Sequence, residues 1–188
     1  MAEAVIIPFE LTTERLIIRR FQDSDLESFF AYRNDPEVEK YQGWGLPYTR
    51  ESATAFVDAM KSIQLAAHGK RCQVAIELKA THEMIGDIFF AVLQEELRLA
   101  RIGYSLARVH WKHGYATEAV GRMLEFLFGD LCLHRVAADC DSENIASVRL
   151  LERLGFRREG HFIESFPLGD NRWGDEYYYG LLEREWLK

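Results

Sequence analysis

Trp111-Lys112-His113-Gly114-Tyr115-Ala116-Thr117-Glu118-Ala119 joins two stretches of different periodicity. Before it, Ile102-Gly103-Tyr104-Ser105-Leu106 reads as a strand, and after it residues 115–128 read as a helix. A glycine-bearing turn between a strand and a helix N-terminus is a general anion site. Backbone N–H groups converge there, and the helix dipole adds partial positive charge. Gly114 removes the side chain that would keep a phosphate away from the backbone. Many helices start after glycine for packing alone, so the turn by itself fixes no function.

A second segment adds the missing specificity. Asn144-Ile145-Ala146-Ser147 and Leu151-Glu152-Arg153-Leu154-Gly155-Phe156 follow another strand-like run, His134-Arg135-Val136-Ala137-Ala138. Together the two segments resemble the acetyl-coenzyme A (acetyl-CoA) site of the GNAT superfamily of N-acetyltransferases. The pyrophosphate loop of that superfamily reads Gln/Arg-x-x-Gly-x-Gly/Ala, and residues 111–116 occupy it here. In the branch of ribosomal-protein alanine N-acetyltransferases the loop often begins with Trp and continues Gly-Tyr-Ala-Thr-Glu-Ala, as it does here. Asn-x-x-Ser followed by Gly-Phe is typical of the same branch. The resemblance runs from Thr12-Thr13-Glu14-Arg15-Leu16 to Leu182-Glu183-Arg184-Glu185-Trp186.

Outward from the loop, residues 15–21 read as a first strand, and Asp23-Ser24-Asp25 caps a helix running to Asn34. Asn34-Asp35-Pro36 breaks it, residues 37–47 form a loop or short helix, and 50–65 a second helix. Residues 73–78 and 84–93 read as antiparallel neighbours, 98–106 as the fourth strand and 135–140 as the fifth. A fourth helix spans 144–154 with Gly155 as its stop. Residues 160–164 and 176–182 close the chain as a hairpin around Asp170-Asn171. The order β-α-α-β-β-β-α-β-α-β-β gives an α/β domain with a central mixed sheet. The resemblance implies a GNAT-type fold. Its sheet is mostly antiparallel, splayed between the fourth and fifth strands to admit the cofactor, and flanked by about four helices.

The bulk numbers bound the partners. With 188 residues, only 4 Pro and no linker-like stretch, residues 1–188 read as one domain with a full core. A net charge of -7 opposes nucleic-acid binding, which calls for a basic stripe. The longest apolar run, Ile88-Phe89-Phe90-Ala91-Val92-Leu93, falls far short of the roughly 20 residues that span a bilayer, so no membrane partner is expected. Glu3 and Glu10 flank the N-terminal apolar patch, which lacks the basic start of a signal peptide. Three cysteines read as reduced thiols of a cytoplasmic protein. Cys132, His134 and Cys140 share a strand face if the run stays extended, but ligands along one strand separate too quickly to close a tetrahedron. No metal is expected, and a homodimer is left open.

The resemblance implies transfer of acetyl from acetyl-CoA to a primary amine by direct attack, without a covalent enzyme intermediate. Backbone N–H groups of Trp111, Lys112, His113, Gly114, Tyr115, Ala116 and Thr117 would hold the pyrophosphate. Tyr104, Ser105 and Leu106 would bond the pantetheine arm like an added half-strand, with a backbone N–H near Leu106 facing the thioester oxygen. Most relatives carry glycine at Lys112. The turn must therefore tolerate a Cβ there, and the lysine either adds charge beside a phosphate or points to solvent. Asn144 would contact the pantetheine arm, or serve only as an N-cap. Many members protonate the leaving thiolate with a tyrosine seven residues after this asparagine, where this chain has Leu151. Ser147, one turn past Asn144 on the same face, is the available hydroxyl; otherwise it is a small packing residue.

No residue stands out as general base: Glu77, Asp87, Glu95 and Glu96 lie near strands that flank the acceptor side, where surface solvation is their alternative role. An α-amine is already about a tenth neutral at pH 7, whereas a lysine-like amine is neutral in only about one part in two thousand. A missing base therefore favours a protein or peptide N-terminal α-amine. A small amine such as a polyamine, aminoglycoside or amino acid is the alternative acceptor, and a non-catalytic CoA-binding sensor the alternative class. Tyr41, Gln42, Trp44 and Tyr48 form an aromatic-rich connection suited to binding the acceptor, with core packing beneath a loop as the other reading.

Overall fold

In β2 (Leu16–Arg19), Leu16 and Ile18 turn fully into the interior, and the strand pairs antiparallel with β3 (Arg71–Leu78) through Leu16↔Leu78 and Ile18↔Ile76. The computed structural model describes residues 9–67, 69–93, 98–169 and 172–186. A short β1 (Glu10–Thr12) pairs outside β2, and β4 (Glu83–Val92) and β5 (Leu99–Leu106) continue the antiparallel meander. β6 (Arg135–Asp141), β7 (Arg157–Gly169) and β8 (Arg172–Leu182) complete an eight-stranded sheet of order β1-β2-β3-β4-β5-β6-β8-β7. Nearly every residue of β4 is buried, because helices cover both faces of the sheet.

On one face lie α1 (Leu26–Arg33), α2 (Pro36–Glu39) and α3 (Arg50–Ser62). Phe29 of α1, Val38 of α2 and Val57 of α3 pack with Phe21, Ala75 and Met84 in one core. On the other face, α4 (Tyr115–Glu125) buries Ala119, Val120, Met123 and Leu124, the i, i+1, i+4, i+5 stripe of an amphipathic helix. They meet Ile76, Ile88, Phe90 and Ile102 in the larger core, and each large side chain buried this way contributes roughly 1.5–3 kcal/mol. α5 (Ile145–Arg153) adds Leu150 and Leu151, and α6 (Glu183–Trp186) ends the described chain.

The α/β class and the GNAT-type splay stand as expected; among the described residues there are eight strands in place of seven, β1 being the addition, and six α-helices in place of about four. β5 and β6 pair in parallel only through Leu99↔Arg135, Ala100↔Val136 and Arg101↔Ala137. Residues 102–106 and 138–141 then diverge and leave a wedge in the sheet. Asp23–Asp25 forms a 3-10 turn, and buried Asp25 is gripped by both guanidinium nitrogens of Arg19 at 2.8 Å. The expected hairpin is much longer, because register shifts along β7 break the alternation that marks a strand. Its turn, Asp170-Asn171, lies outside the described residues. Cys132 has a left-handed φ of 52° and β6 starts only at Arg135, so Cys132 and His134 do not share a strand face with Cys140.

Candidate active site

The turn before α4 supplies the densest set of open donors. Gly114, at φ 83°, is the N-cap and offers no side-chain cap, and the helical ladder starts only when the Glu118 N–H reaches the Gly114 carbonyl at 3.1 Å. The N–H groups of Tyr115, Ala116 and Thr117 therefore have no intrahelical acceptor. All three residues line a cleft of 540 Å³, together with Lys112 and Gly114. Lys112 adopts φ 65°, so the lysine keeps a glycine-like backbone at about 1–2 kcal/mol of strain. His113 does not line the cleft; its ring stacks on Tyr115 at 5.6 Å.

Arg15 fixes this turn, a role that the local sequence did not disclose. Its Nε reaches Glu118 Oε2 at 2.7 Å, its Nη1 donates to the His113 carbonyl at 3.0 Å, and its guanidinium lies over the Tyr115 ring. Burial pushes the Glu118 carboxyl up, but hydrogen bonds from the Thr13 hydroxyl and from Arg15 outweigh it and hold the group below its ordinary value. On α5, Arg149 and Arg153 face the same cleft one turn apart, a spacing that was readable in advance, and Arg153 donates to the Thr117 hydroxyl at 3.3 Å.

The wedge edge of β5 forms the middle of the cleft. The Ala107 N–H donates to the Ile85 carbonyl of β4 at 2.9 Å. Because successive peptide groups of a strand point to opposite sides, the N–H groups of Leu106 and Tyr104 face the wedge, where β6 has left. The Trp111 indole N–H donates to the Leu106 carbonyl at 2.8 Å. On the opposite side of β5, Gly86 of β4 approaches so closely that a Cβ there would collide with the Ser105 carbonyl oxygen.

Across the wedge, Asn144 Oδ1 caps α5 by accepting from the Ser147 N–H at 3.1 Å, and its side chain also lines the cleft. The cap and the cleft positions thus coincide in one residue. The Ser147 hydroxyl lies 2.8 Å from the Tyr104 hydroxyl. Burial pushes the Tyr104 hydroxyl well above its ordinary value and the Cys140 thiol up to about 11.

A second cleft, of 510 Å³, shares only Tyr41 and Gln42 with the first. Its walls include Phe89, Phe166, Arg71 and the carboxylates of Asp139, Asp141 and Glu176. Arg101 pairs with Asp139, the Glu143 N–H donates to Asp141 at 2.7 Å, and the Ser165 hydroxyl to Glu176 at 2.9 Å.

The acetyltransferase (GNAT) domain family matches residues 15–157. The chain belongs to the GNAT acetyltransferase family. It is 38% identical to the uncharacterised N-acetyltransferase YnaD of Bacillus subtilis over 94% of this chain and 98% of that one. The GNAT-family acetyltransferase structure from Bacillus anthracis superposes with a TM-score of 0.83 at 34% identity, covering 94% of this chain and all (100%) of that one. Spermidine N-acetyltransferase from Vibrio cholerae, in complex with CoA and spermine, shares the fold at TM-score 0.79 and 21% identity, over 94% and 100% of the two chains. RimJ of Mycobacterium smegmatis, in complex with CoA-disulfide, shares it at 0.80 and 23%, over 96% and 89%.

This acetyl-CoA-dependent N-acetyltransferase departs from the sequence reading on its acceptor side. Tyr41 lines both clefts, whereas Trp44 and Tyr48 line neither. Trp44 stacks on the Arg33 guanidinium at 3.8 Å and donates its indole N–H to the Arg33 carbonyl at 3.0 Å, and both rings pack against the core of α1 and α3. Glu77 is buried between Arg19 at 2.5 Å and His82 at 2.9 Å. Asp87 is buried among Tyr32, Arg33 and Gln73. Glu95 and Glu96 lie outside the described residues. Among the described residues no His, Cys, Asp and Glu cluster suits a metal, and no helix is long and apolar enough to cross a membrane.

Proposed function

We propose that this acetyltransferase modifies the α-amine of a protein or peptide N-terminus, in keeping with the ribosomal-protein branch that its loop resembles. One observation carries this reading. Glu77 and Asp87, the described carboxylates among the base candidates of the sequence, are committed to buried ion pairs and hydrogen bonds, and Asp139, Asp141 and Glu176 of the second cleft each hold a partner. An acceptor that is already partly neutral needs no base, and at pH 7 an α-amine is about a tenth neutral.

Acetyl-CoA supplies the activated acetyl group. The first-turn N–H groups of α4 hold its pyrophosphate, with Lys112 and the α5 arginines adding positive charge. The wedge-facing N–H groups of Tyr104 and Leu106 take the pantetheine arm and the thioester oxygen. Losing an oxyanion donor costs about 100- to 1000-fold in rate, so the Leu106 N–H is the largest local contribution. The amine arrives through the second cleft, guided by Tyr41 and the carboxylates there. As its nitrogen bonds to the acetyl carbon, the C–S bond breaks, the electron pair leaves on sulfur, and Ser147 donates a hydrogen bond to that sulfur.

Ser147→Ala is expected to lower kcat by about 10- to 1000-fold while leaving acetyl-CoA affinity within a few fold. The acceptor is tested with a small-residue N-terminal peptide, spermidine and an aminoglycoside, mapping the acetyl group by mass spectrometry. Tyr41→Ala should raise KM for the peptide far more than KM for acetyl-CoA. Modification of the polyamine or sugar alone would replace this reading with a small-amine acetyltransferase. That second reading draws on the three carboxylates of the acceptor cleft and on the spermidine-acetylating relative.

A further inference from the structure

We propose that Tyr104 is a positioning residue that aims the Ser147 hydroxyl hydrogen into the cofactor cleft; this rests on the reading of Ser147 as donor to the leaving sulfur. The geometry gives the direction of the bond. Tyr104 and Ser147 hydroxyl oxygens lie 2.8 Å apart, and the other acceptor near the Tyr104 hydroxyl is the Ser147 carbonyl at 3.5 Å. If Ser147 donated to Tyr104, the Tyr104 hydrogen would be left with that long contact, and a largely enclosed O–H without a good acceptor is unfavourable. With Tyr104 donating, its hydrogen is satisfied by the short bond.

Ser147 then has one hydrogen and one lone pair to place. With Tyr104 donating from β5, one acceptor position of the Ser147 hydroxyl is filled. The Ser147 N–H is meanwhile pinned by Asn144. The remaining O–H is free to turn into the cleft that Ser147 lines.

Tyr104 hands over no proton in this scheme. Burial makes it a weaker acid than an ordinary phenol, so it holds its hydrogen throughout. The C–N bond forms, the C–S bond breaks, and the surplus proton of the attacking amine passes through solvent to the departing sulfur. What Tyr104 supplies is a fixed hydroxyl direction, in a chain that has Leu151 where many relatives put a tyrosine.

The test is a double-mutant cycle of Tyr104→Phe and Ser147→Ala. It is read as thiol release from acetyl-CoA with whichever acceptor, N-terminal peptide or spermidine, is turned over. Phenylalanine keeps the ring that packs on the core, and an unchanged melting temperature confirms that packing. Tyr104→Phe is expected to lower kcat about 5- to 10-fold, the worth of one hydrogen bond, with KM for acetyl-CoA within about two-fold. In the Ser147→Ala background the same change is expected to do nothing further. An unchanged kcat in Tyr104→Phe, or an equal drop in both backgrounds, overturns the positioning role and leaves Ser147 standing. Full kcat in Ser147→Ala removes both.

Discussion

The Trp111 indole N–H and the Leu106 carbonyl, 2.8 Å apart, tie the first residue of the phosphate loop to the last residue of β5. The peptide edge proposed to face the thioester and the turn proposed to face the phosphates are therefore held in one frame. Trp111→Phe keeps the ring and deletes the bond. Acetyl-CoA affinity is expected to weaken about 5- to 10-fold by calorimetry. An unchanged Kd together with an unchanged kcat would reduce this contact to a passive one.

Gly114→Glu is expected to abolish acetyl-CoA binding. The left-handed φ of 83° strains any side chain there, and the carboxylate would oppose the phosphate's charge in its own space. Wild-type affinity in this variant would move the phosphate site elsewhere. In the unsubstituted protein, acetyl-CoA should raise the melting temperature, because it binds the folded state alone.

Lys112→Gly separates backbone from side chain. Removing the left-handed strain gains about 1–2 kcal/mol, and the extra freedom of glycine in the unfolded chain gives back about 0.5–1 kcal/mol. The melting temperature is therefore expected to rise by about 1–4 °C. Acetyl-CoA affinity should lie below wild type at low ionic strength, and the gap should close in high salt as the wild type loses the lysine's screened attraction. Equal affinity at low salt would mean that the lysine faces solvent.

Glu159 carries the clearest pH signature. The Arg135 guanidinium, and Arg157 at 2.7 Å, outweigh burial and hold its carboxyl at about 2, against 4.5 for the free group. A depressed folded-state value stabilises the fold above pH 4.5, and that contribution fades as pH falls toward 2. Glu159→Gln should lower the melting temperature at neutral pH, with the gap from wild type closing across that acid window. A gap that stays constant with pH would deny these ion pairs a role in stability.

The legible parts of this chain were local. The Gly114 turn, the α4 stripe and the Asn144 cap each depend on residues a few positions apart, which the sequence displays directly. Arg15 was invisible because its partner, Glu118, is 103 residues away. Arg19, 58 residues from Glu77, was hidden for the same reason. Trp44 misled because flanking glycines and exposed neighbours look alike whether a ring faces a ligand or a buried guanidinium. Cys132 looked like part of a strand because a left-handed residue leaves no mark in the alternation pattern.

The three residue pairs from Leu99↔Arg135 to Arg101↔Ala137 are the whole of the strand pairing between β5 and β6, where the two sides of the sheet meet. Mechanically the sheet is two plates welded at one corner, and a ligand lodged in the wedge acts as a removable second weld. Binding should therefore stiffen peptide groups that it never touches. Amide hydrogen exchange is expected to slow along the far side of β6 and into β8, where the second plate is carried, as well as along residues 102–106.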